Sequence, residues 1–150
     1  MAPVRIAAAQ PAEVAAIGVL LRDAGLPAGD FADHLAHFLA ARRNGQVVGA
    51  VGLELHGRDA LLRSLVVAPA RRGAGLGGRL VACLERAAAR QGAWRFYLLT
   101  TTAEAFFARR GFQKIPRATV PAGIAATREF RSLCPVSAVC MTRAVAPAER

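Results

Sequence analysis

The sequence predicts a single α/β domain in which a mixed, mostly antiparallel sheet of about six to seven strands is flanked by helices. One observation behind this prediction is the order of the segments. Several strand-like stretches precede a glycine-rich loop and a long helix, instead of alternating with helices one by one. Another observation is the size of the chain, because 150 residues with 54% apolar content and no internal repeat suffice for one hydrophobic core. A domain of this length buries about 70% of the surface that its unfolded chain exposes.

The N-terminal elements are predicted from apolar periodicity and from residues that start helices. Val4–Ala8 has the pattern of a strand, and Pro11 begins a helix whose apolar side chains keep a near-helical period up to Gly25. Asp30 is predicted to cap a short helix that continues through His37. These elements lead into the sheet.

The middle of the chain predicts two turns between strands, followed by a long helix. Asn44-Gly45 is a pair that favours the tight hairpin turn with positive φ angles. A second turn at residues 56–59 leads into the next strand. The segments predicted for this part are residues 38–42, 46–55 and 61–67 for the strands and 75–90 for the helix.

The C-terminal third alternates strands with shorter helices. Thr102, with Glu104 in the first turn, is predicted to open a helix that Gly111 ends. A second helix is predicted over Val120–Phe130, and residues 144–150 are expected to form a loose tail. The predicted strands of this part are residues 94–100, 112–115 and 137–143.

The glycine-rich stretch after the strand that ends at Val67 is the most informative segment. The first backbone N–H groups of a helix lack internal partners and carry the positive end of its dipole, so an anion binds there through several donors. The glycines keep side chains out of the way of the anion, and two arginines ahead of them add permanent positive charge. We therefore predict a pyrophosphate-binding loop, formed by Arg71, Arg72, Gly73, Ala74, Gly75, Leu76, Gly77 and Gly78.

Two other glycine-loop chemistries fit less well. A nucleoside triphosphate loop needs Gly-Lys-Ser/Thr, and Lys114, the only lysine, lies far downstream. The order G-x-G-x-x-G at residues 73–78 matches a dinucleotide loop, but residues 68–72 separate it from the strand that it should follow directly. Glu85 and Glu104 both fit poorly as the acidic residue expected about 20 residues further on.

Residues 71–77 have the order of a third loop: two basic residues, two spacers and Gly-x-Gly. This is the acyl-coenzyme A loop of the GNAT acetyltransferases, which the chain resembles over most of its length. Leu61–Val67 is similar to the central strand of that superfamily, Gly75–Arg90 to its pyrophosphate helix and Ala103–Phe112 to the segment that ends in Gly-Phe. The resemblance implies a single GNAT-like domain and acetyl-coenzyme A as the cofactor.

Within the superfamily, the chain looks like a branch associated with arsenic-resistance genes and, more distantly, like N-acetylglutamate synthase catalytic domains. The resemblance implies acetylation of a small primary amine, such as an amino acid or a glutamate-like analogue, in arsenic or xenobiotic resistance. The segments that carry it are Leu62–Leu65, Leu99–Glu104, Phe106-Phe107 and Ser132–Pro135.

The resemblance also implies which residues contact acetyl-coenzyme A. A backbone amide near the end of the central strand, at Val67 or Val66, would bind the carbonyl oxygen of the thioester. The tyrosine that often protonates the leaving thiolate is replaced by Phe107, and the asparagine usually found before it is replaced by Thr100. Because the coenzyme thiol has a pKa near that of cysteine, about 8.5, we expect turnover without this acid. Tyr97 and Ser137 are weak substitutes for the missing acid. The residues that the resemblance implies as cofactor contacts are Val66, Val67, Arg71 to Gly78 and Phe107.

Glu54 is the candidate general base. Deprotonating an amine with a pKa near 10.4 at pH 7 costs about 4.6 kcal/mol, which a base or desolvation must offset. Glu54 lies toward the end of the strand before the central one, where its carboxylate could act through water. The alternative is a solvent-facing glutamate at the end of a strand.

Arg63 and Ser64 of the central strand are predicted to face the acceptor amine. A buried arginine on a sheet needs an anionic partner, so Arg63 either binds a substrate carboxylate or pairs with Glu54 or Asp59. The superfamily layout implies that Arg117–Pro135 covers the mouth of this pocket. The predicted acceptor residues are Arg63, Ser64, Thr100, Thr101 and Ser137.

The net charge of +10 raises the alternative of a nucleic-acid-binding protein. Its arginines are spread along the chain, and no basic helix, zinc-finger spacing or aromatic-interleaved RNA motif accompanies them. Coenzyme A brings about four negative charges and so accounts for part of the excess. We expect a small-molecule partner and no nucleic acid. The alternatives are a module that binds acyl-coenzyme A or another anion without turnover, and a basic nucleic-acid binder.

The cysteines and histidines predict no metal site. Cys83, Cys134 and Cys140 lie in apolar segments, as reduced cytosolic thiols do, although Cys134 and Cys140 leave a metalloid site open as an alternative. A surface or packing role is predicted for His34 and His37.

The start of the chain lacks a signal-peptide pattern, and no stretch reaches the roughly 18 apolar residues of a membrane span. We expect a cytoplasmic protein without a membrane partner, with a homodimer left open.

Overall fold

The computed structural model describes residues 2–145, within which no helix is long and apolar enough to cross a bilayer. Most of the predicted tail, residues 146–150, lies outside the described residues, whereas Ala144 ends the last strand. The strands are β1 (Arg5–Ala8), β2 (Phe38–Arg43), β3 (Gln46–His56), β4 (Asp59–Val67), β5 (Arg95–Thr100), β6 (Gln113–Ile115) and β7 (Val139–Ala144). The α-helices are α1 (Val14–Asp23), α2 (Leu76–Arg90), α3 (Glu104–Ala108) and α4 (Ala122–Ala125).

The strands form one sheet in the order β1-β2-β3-β4-β5-β7-β6. Antiparallel pairs join β1 to β2, β2 to β3, β5 to β7 and β7 to β6. The parallel pair joins the first three residues of β4, Asp59–Leu61, to Arg95–Tyr97 of β5, with α2 in the connection. This mixed, mostly antiparallel sheet with helices confirms the predicted fold class.

Two predicted turns shape the hairpins of this sheet. Asn44 and Gly45 have φ angles of 53° and 76°, the two positive values that a primed hairpin turn requires. Gly57, with φ 67°, lies in the two-residue connection between β3 and β4. Because these neighbouring strands are joined by so short a loop, they are antiparallel.

The chain divides into two compact units, each with its own core. The first unit holds the described residues up to Glu54 together with Arg63–Arg86, and the second holds Leu55–Leu62 together with the described residues from Ala87 onward. The first core contains Ile17, Leu21, Phe31, Phe38, Ala50 and Val66. The second contains Leu61, Tyr97, Ile124, Phe130 and Cys140.

Gly52 in β3 leaves space for an aromatic ring in the first core. It pairs with Phe38 of β2, whose ring is 1% exposed and packs 5.7 Å from the ring of Phe31. A Cβ atom on Gly52 would lie 2.2 Å from Cζ of Phe38, closer than non-bonded carbon atoms approach. The ring therefore depends on a glycine at this position.

An ion pair fastens the start of the first helical segment to β2. The guanidinium of Arg42 contacts both carboxylate oxygens of Glu13, with 2.5 Å between Nη2 and Oε1, and Nη2 also donates to the carbonyl of Ala8 at 2.7 Å. The hydrogen bond from Arg42 holds the pKa of Glu13 below its ordinary value of 4.5, although burial opposes this shift. The pair thus favours the ionised carboxylate.

The structure corrects three of the predicted helix starts and extents. Asp30 precedes the tight helical turn Phe31–His37, but its side chain does not cap it, because the carboxylate pairs with Arg63 instead. Thr102 does not open α3, since the hydroxyl of Thr100 accepts from the amide of Ala103 at 3.0 Å.

The single helix predicted over Val120–Phe130 is also wrong. Here α4 contains only four residues, and a π-helical turn follows at Glu129–Leu133. The hydroxyl of Thr127 donates to the carbonyl of Ile124 at 2.8 Å, and such local side-chain bonds compete with a continuing helix.

Candidate active site

The glycine-rich loop connects β4 to α2 within the first unit. After the turn Pro69–Arg71, the chain passes through Gly73 (φ 84°) and Gly75 (φ 81°), and α2 begins at Leu76. Glycine adopts positive φ angles without the steric penalty of a Cβ atom. An added Cβ at either position would meet nothing within 4 Å, so backbone conformation and not crowding requires these glycines.

The main-chain amides of this loop are candidates for binding an anion. Across residues 2–145, no backbone carbonyl outside the regular helices and strands accepts from the amides of residues 73–78. The first amide with such a partner is that of Arg79, which donates to the carbonyl of Gly75 at 3.1 Å. Because these amides open α2, they carry the positive end of its dipole and can bind an anion.

The arginines before the loop add positive charge and fasten it to the strand. Arg71 is half-buried and Arg72 is exposed. The Nε group of Arg72 donates to the carbonyl of Val67 at 3.0 Å, which ties the loop to the end of β4. The sequence prediction of an Arg-flanked glycine loop at a helix start thus agrees with the structure, while its ligand stays a prediction.

A buried charge cluster lies in the same unit, on β3, β4 and the loop before β2. Arg63 is 2% exposed, and its Nη1 donates to Oδ2 of Asp30 at 2.9 Å and to Oε2 of Glu54 at 2.7 Å. Its Nη2 also donates to Oδ1 of Asp30. Two carboxylates thus surround one guanidinium, and the three groups together carry one negative charge in excess.

These contacts show which partners Arg63 uses. Of the two interpretations drawn from the sequence, the structure shows pairing with the protein, with Glu54 as expected and with Asp30 as the second partner. The guanidinium is therefore already engaged by carboxylates of this chain. Glu54 is 8% exposed, which also contradicts the alternative of a solvent-facing glutamate.

Ser64 has a left-handed backbone conformation within β4, with φ 60°. This conformation costs a residue with a Cβ atom about 1 kcal/mol or more, and such strain is concentrated at functional sites. Neighbouring side chains of a regular strand point to opposite faces, yet Oγ of Ser64 accepts from Nε of Arg63 at 3.1 Å. The distorted backbone thus places the hydroxyl where it helps to hold the guanidinium.

His34 completes the cluster, and the sequence reasoning missed this role. Its Nε2 lies 3.7 Å from Oδ2 of Asp30 and 3.7 Å from Oε2 of Glu54. Asp30 precedes His34 by one helical turn, a spacing that places both side chains on one side of the segment. That spacing was the available signal, but the contact with Glu54 depends on the tertiary fold.

Asp30, His34 and Glu54 offer three ligand atoms within 4.8 Å of one another, a geometry that could hold a metal ion. However, Nη1 of Arg63 already donates to the same two oxygens. A divalent cation between them would meet this permanent positive charge. We therefore assign the cluster to ion pairing and not to metal binding.

The residues of the second unit that were predicted to contact the acceptor (Thr100, Thr101 and Ser137) or the cofactor (Phe107) differ in their exposure. Thr100 is half-buried and its hydroxyl caps the turn before α3, while Thr101 and Ser137 are exposed. Phe107 is 4% exposed, and its ring contacts those of Phe106 at 5.0 Å and Phe112 at 5.4 Å. Its aromatic core role is thus clear, whereas contacts of these residues with substrates stay predictions.

The cysteines of the second unit have the character of structural thiols. Burial raises the pKa of the Cys140 thiol, although the positive charge of Arg117 opposes the shift. Cys134 lies 3.5 Å from Oε1 of the buried Glu129. The raised pKa of Cys140 favours a protonated thiol at that position, whereas a metalloid site at Cys134 and Cys140 stays an untested alternative.

Sequence comparison supplies one family match. A family model described as an acetyltransferase (GNAT) domain matches residues 34–114, which is more than half of the chain. The matched range begins at His34 and includes Glu54, Arg63 and the whole glycine loop. No curated protein matches the chain significantly.

Solved structures show the same fold over nearly the whole chain. N-acetylglutamate synthase from Neisseria gonorrhoeae, complexed with coenzyme A and N-acetyl-glutamate, has a TM-score of 0.83 at 22% identity, with 97% of this chain and 36% of the synthase covered. Rv2747 from Mycobacterium tuberculosis, in complex with CoA and NLQ, has a TM-score of 0.80 at 24% identity, with 94% and 99% covered.

A third neighbour, PaiA N-acetyltransferase from Thermoplasma acidophilum in complex with coenzyme A, has a TM-score of 0.71 at 13% identity, with 95% of this chain and 99% of the neighbour covered. At these identities the likeness is one of fold. This chain spans 36% of the length of the synthase. The match therefore does not assign the activity of the whole synthase to this chain.

Proposed function

Because this chain belongs to the GNAT acetyltransferase family, we propose that it transfers an acetyl group from acetyl-coenzyme A to the primary amine of a small molecule. The enzyme class predicted from the sequence, N-acetyltransferase of the GNAT type, is that of the family. The observation that carries the proposal is that, within residues 2–145, no backbone carbonyl outside the regular helices and strands accepts from the amides of residues 73–78, at the start of α2. Neighbours of the same fold were solved with coenzyme A, which supports this choice of ligand.

The loop fits the diphosphate of coenzyme A in charge and in shape. Amides at the start of α2 supply donors and the positive end of a dipole, and Arg71 and Arg72 stand beside them. No side chain projects from Gly73 or Gly75 into the approach. We assign the cofactor to Val66, Val67, Arg71, Arg72, Gly73, Ala74, Gly75, Leu76, Gly77 and Gly78, with an apolar contact from Phe107.

Val67 is the better choice for binding the thioester carbonyl. Successive amides of an extended chain point to opposite edges of a strand. The amide of Ala68 donates to the carbonyl of Val48 in β3 at 2.8 Å, so that of Val67 points away from β3. An amide with this direction can donate to the oxyanion that forms when the amine attacks, whereas the amide of Val66 points back to β3.

The acceptor we propose is an amino acid or a glutamate-like analogue. The excess negative charge of the cluster around Arg63 attracts an ammonium group. Likeness to the synthase complexed with N-acetyl-glutamate favours an acidic amino acid, and the resemblance to the arsenic-resistance branch extends this to arsenic-containing or phosphinic analogues. Because Asp30 and Glu54 engage Arg63, we propose that another group binds the acceptor carboxylate. We also propose that the protein is cytoplasmic.

Coenzyme A binding by the loop is tested with Gly75→Ala, matched against Gly92→Ala. Both glycines have positive φ, 81° and 85°, and open space around them, so both substitutions carry a similar backbone penalty of about 1–2 kcal/mol. Only Gly75 lies in the proposed diphosphate loop. We expect calorimetric titration to show at least tenfold weaker coenzyme A binding for Gly75→Ala and unchanged binding for Gly92→Ala. Equal affinities in the two variants would contradict the assignment.

Turnover is tested by thiol release from acetyl-coenzyme A with a panel of amines. The panel contains glutamate, a phosphinic glutamate analogue, lysine and a polyamine. We expect release with the acidic amino acids above the rate of hydrolysis without an amine. Release only with lysine or the polyamine would overturn the acceptor class but not the enzyme, and coenzyme A binding without release from any amine would indicate a binding module.

A further inference from the structure

His34 is the most solvent-accessible member of the buried charge cluster. Its side chain is 32% exposed, against 0% for Arg63, 1% for Asp30 and 8% for Glu54. It lies at a break in the turn Phe31–His37, where its own backbone departs from helical geometry with φ −113° and ψ 16°. Among these four side chains, His34 is therefore the one that solvent reaches most readily.

The surroundings of the ring determine which nitrogen can accept a proton. Nε2 faces two carboxylate oxygens, each at 3.7 Å, and both are acceptors. The two carboxylates attract a proton on Nε2, which favours the tautomer that has its lone pair on Nδ1.

The charge of the cluster suits a base at this position. Asp30 and Glu54 together carry two negative charges, and Arg63 balances one of them. A proton on Nδ1 makes the imidazole positive, so the four groups together become neutral. The carboxylates thus stabilise the charge that the ring acquires when it takes up a proton.

We propose that His34 is the catalytic base of the acetyl transfer, with Nδ1 as the accepting atom and with Asp30 and Glu54 as positioning residues. This inference rests on the proposed function. The acceptor ammonium gives one proton to Nδ1, and its lone pair forms the C–N bond to the thioester carbonyl carbon. The C–S bond breaks, and its electron pair leaves with sulfur. The second proton from nitrogen neutralises the thiolate, and His34 returns its proton to solvent.

Glu54 itself is less suited to touch the amine. Its Oε2 already accepts from Nη1 of Arg63 at 2.7 Å, and its side chain is nearly buried. The base predicted from the sequence therefore acts through His34, by holding the ring and balancing its charge. Asp30 does the same from its position just before the turn Phe31–His37.

The pH dependence of the reaction follows from the groups that face the ring. These are Asp30 and Glu54, with Arg63 behind them, while Asp33 and His37 on the same segment are exposed. The base acts in its neutral form, and removal of the ring should therefore change the pH profile of kcat/KM. Without the imidazole, kcat/KM depends instead on the ammonium of the substrate and continues to rise with pH.

The test compares His34→Ala with His37→Ala, a matched control three residues further along the same segment. We expect a loss of about 100-fold in kcat for His34→Ala. We also expect unchanged coenzyme A binding, a changed pH profile and partial recovery of activity on addition of imidazole. His37→Ala should keep the activity and pH profile of the unmodified protein. His34→Gln, which keeps a polar side chain, should not recover activity by itself.

Two results overturn the inference. One is an active His34→Ala variant with the original pH profile, and the other is a loss of activity that imidazole does not restore although coenzyme A still binds. Failure of the proposed function looks different, since the unmodified protein would then release no thiol with any amine of the panel. If His34→Ala does not fold, His34→Gln serves for the same pH profile.

Discussion

Replacing Arg63 by methionine tests whether the charge cluster depends on its guanidinium. Methionine keeps much of the apolar stem and removes the charge, so Asp30 and Glu54 remain buried without a counter-ion. Removing one partner of a buried ion pair typically costs about 3–5 kcal/mol. Ligand atoms of the two carboxylates lie within 4.8 Å of each other, at which two unit charges repel by about 3.5 kcal/mol with an effective dielectric constant of about 20.

We therefore expect Arg63→Met to lower the free energy of unfolding by about 3–5 kcal/mol. For 150 residues this corresponds to a fall in Tm of roughly 6–20 °C. Urea titration followed by circular dichroism gives the free energy, and thermal unfolding gives the Tm. Arg5→Met is the control, because Arg5 is an exposed residue of β1 and its replacement should cost less than about 0.5 kcal/mol.

A triple variant separates the lost charge from the lost packing. Combining Arg63→Met with Asp30→Asn and Glu54→Gln removes all three charges, so no buried charge is left without a counter-ion. The triple variant should therefore be more stable than Arg63→Met alone. Equal stability of Arg63→Met and Arg5→Met would refute the reasoning, since the carboxylates would then not need the guanidinium.

Two further predictions concern packing and pH. Gly52→Ala should lower the free energy of unfolding by at least 2–3 kcal/mol, roughly the upper range for overpacking, because the new Cβ meets the ring of Phe38 at 2.2 Å. Gly29→Ala, with nothing within 4 Å, should change it by less than about 0.5 kcal/mol in the same urea titration, and similar losses would contradict the packing argument. Glu13→Gln should be less stable than the unmodified protein at neutral pH, because the folded state lowers the pKa of Glu13 through Arg42. This stabilisation is complete at pH values above the ordinary pKa of 4.5, and it is lost as the pH falls through the lower pKa of the folded state. The difference in stability between the two proteins should therefore narrow on acidification. A difference that widens would contradict the direction of the pKa shift.

The features that the sequence predicted correctly are those that depend on short stretches of the chain. Asn44-Gly45 determines its own turn, and the glycines of residues 73–78 determine the loop by backbone conformation. The long helix and the strands before it follow from local apolar patterns and from the Gly-rich boundary. Residue type and near neighbours suffice in each case.

The features that sequence missed depend on distant parts of the chain. Asp30 has the residue type of a helix cap, and only the folded sheet brings Arg63 within reach as a stronger partner. The strained φ of Ser64 cannot be read from a serine in a strand-like segment. Thr127 ends α4 through a single hydroxyl hydrogen bond, which apolar periodicity over residues 120–130 does not reveal.

The positions of the two carboxylates along the chain imply an order in which the Arg63 ion pairs form during folding. Glu54 is nine residues from Arg63 across one hairpin, whereas Asp30 is 33 residues away. Closing the longer loop costs about 1 kcal/mol more in chain entropy. The hairpin can thus bring Arg63 to Glu54 at a lower entropic cost than the fold pays to bring Arg63 to Asp30, so we expect the pair within the hairpin to form first.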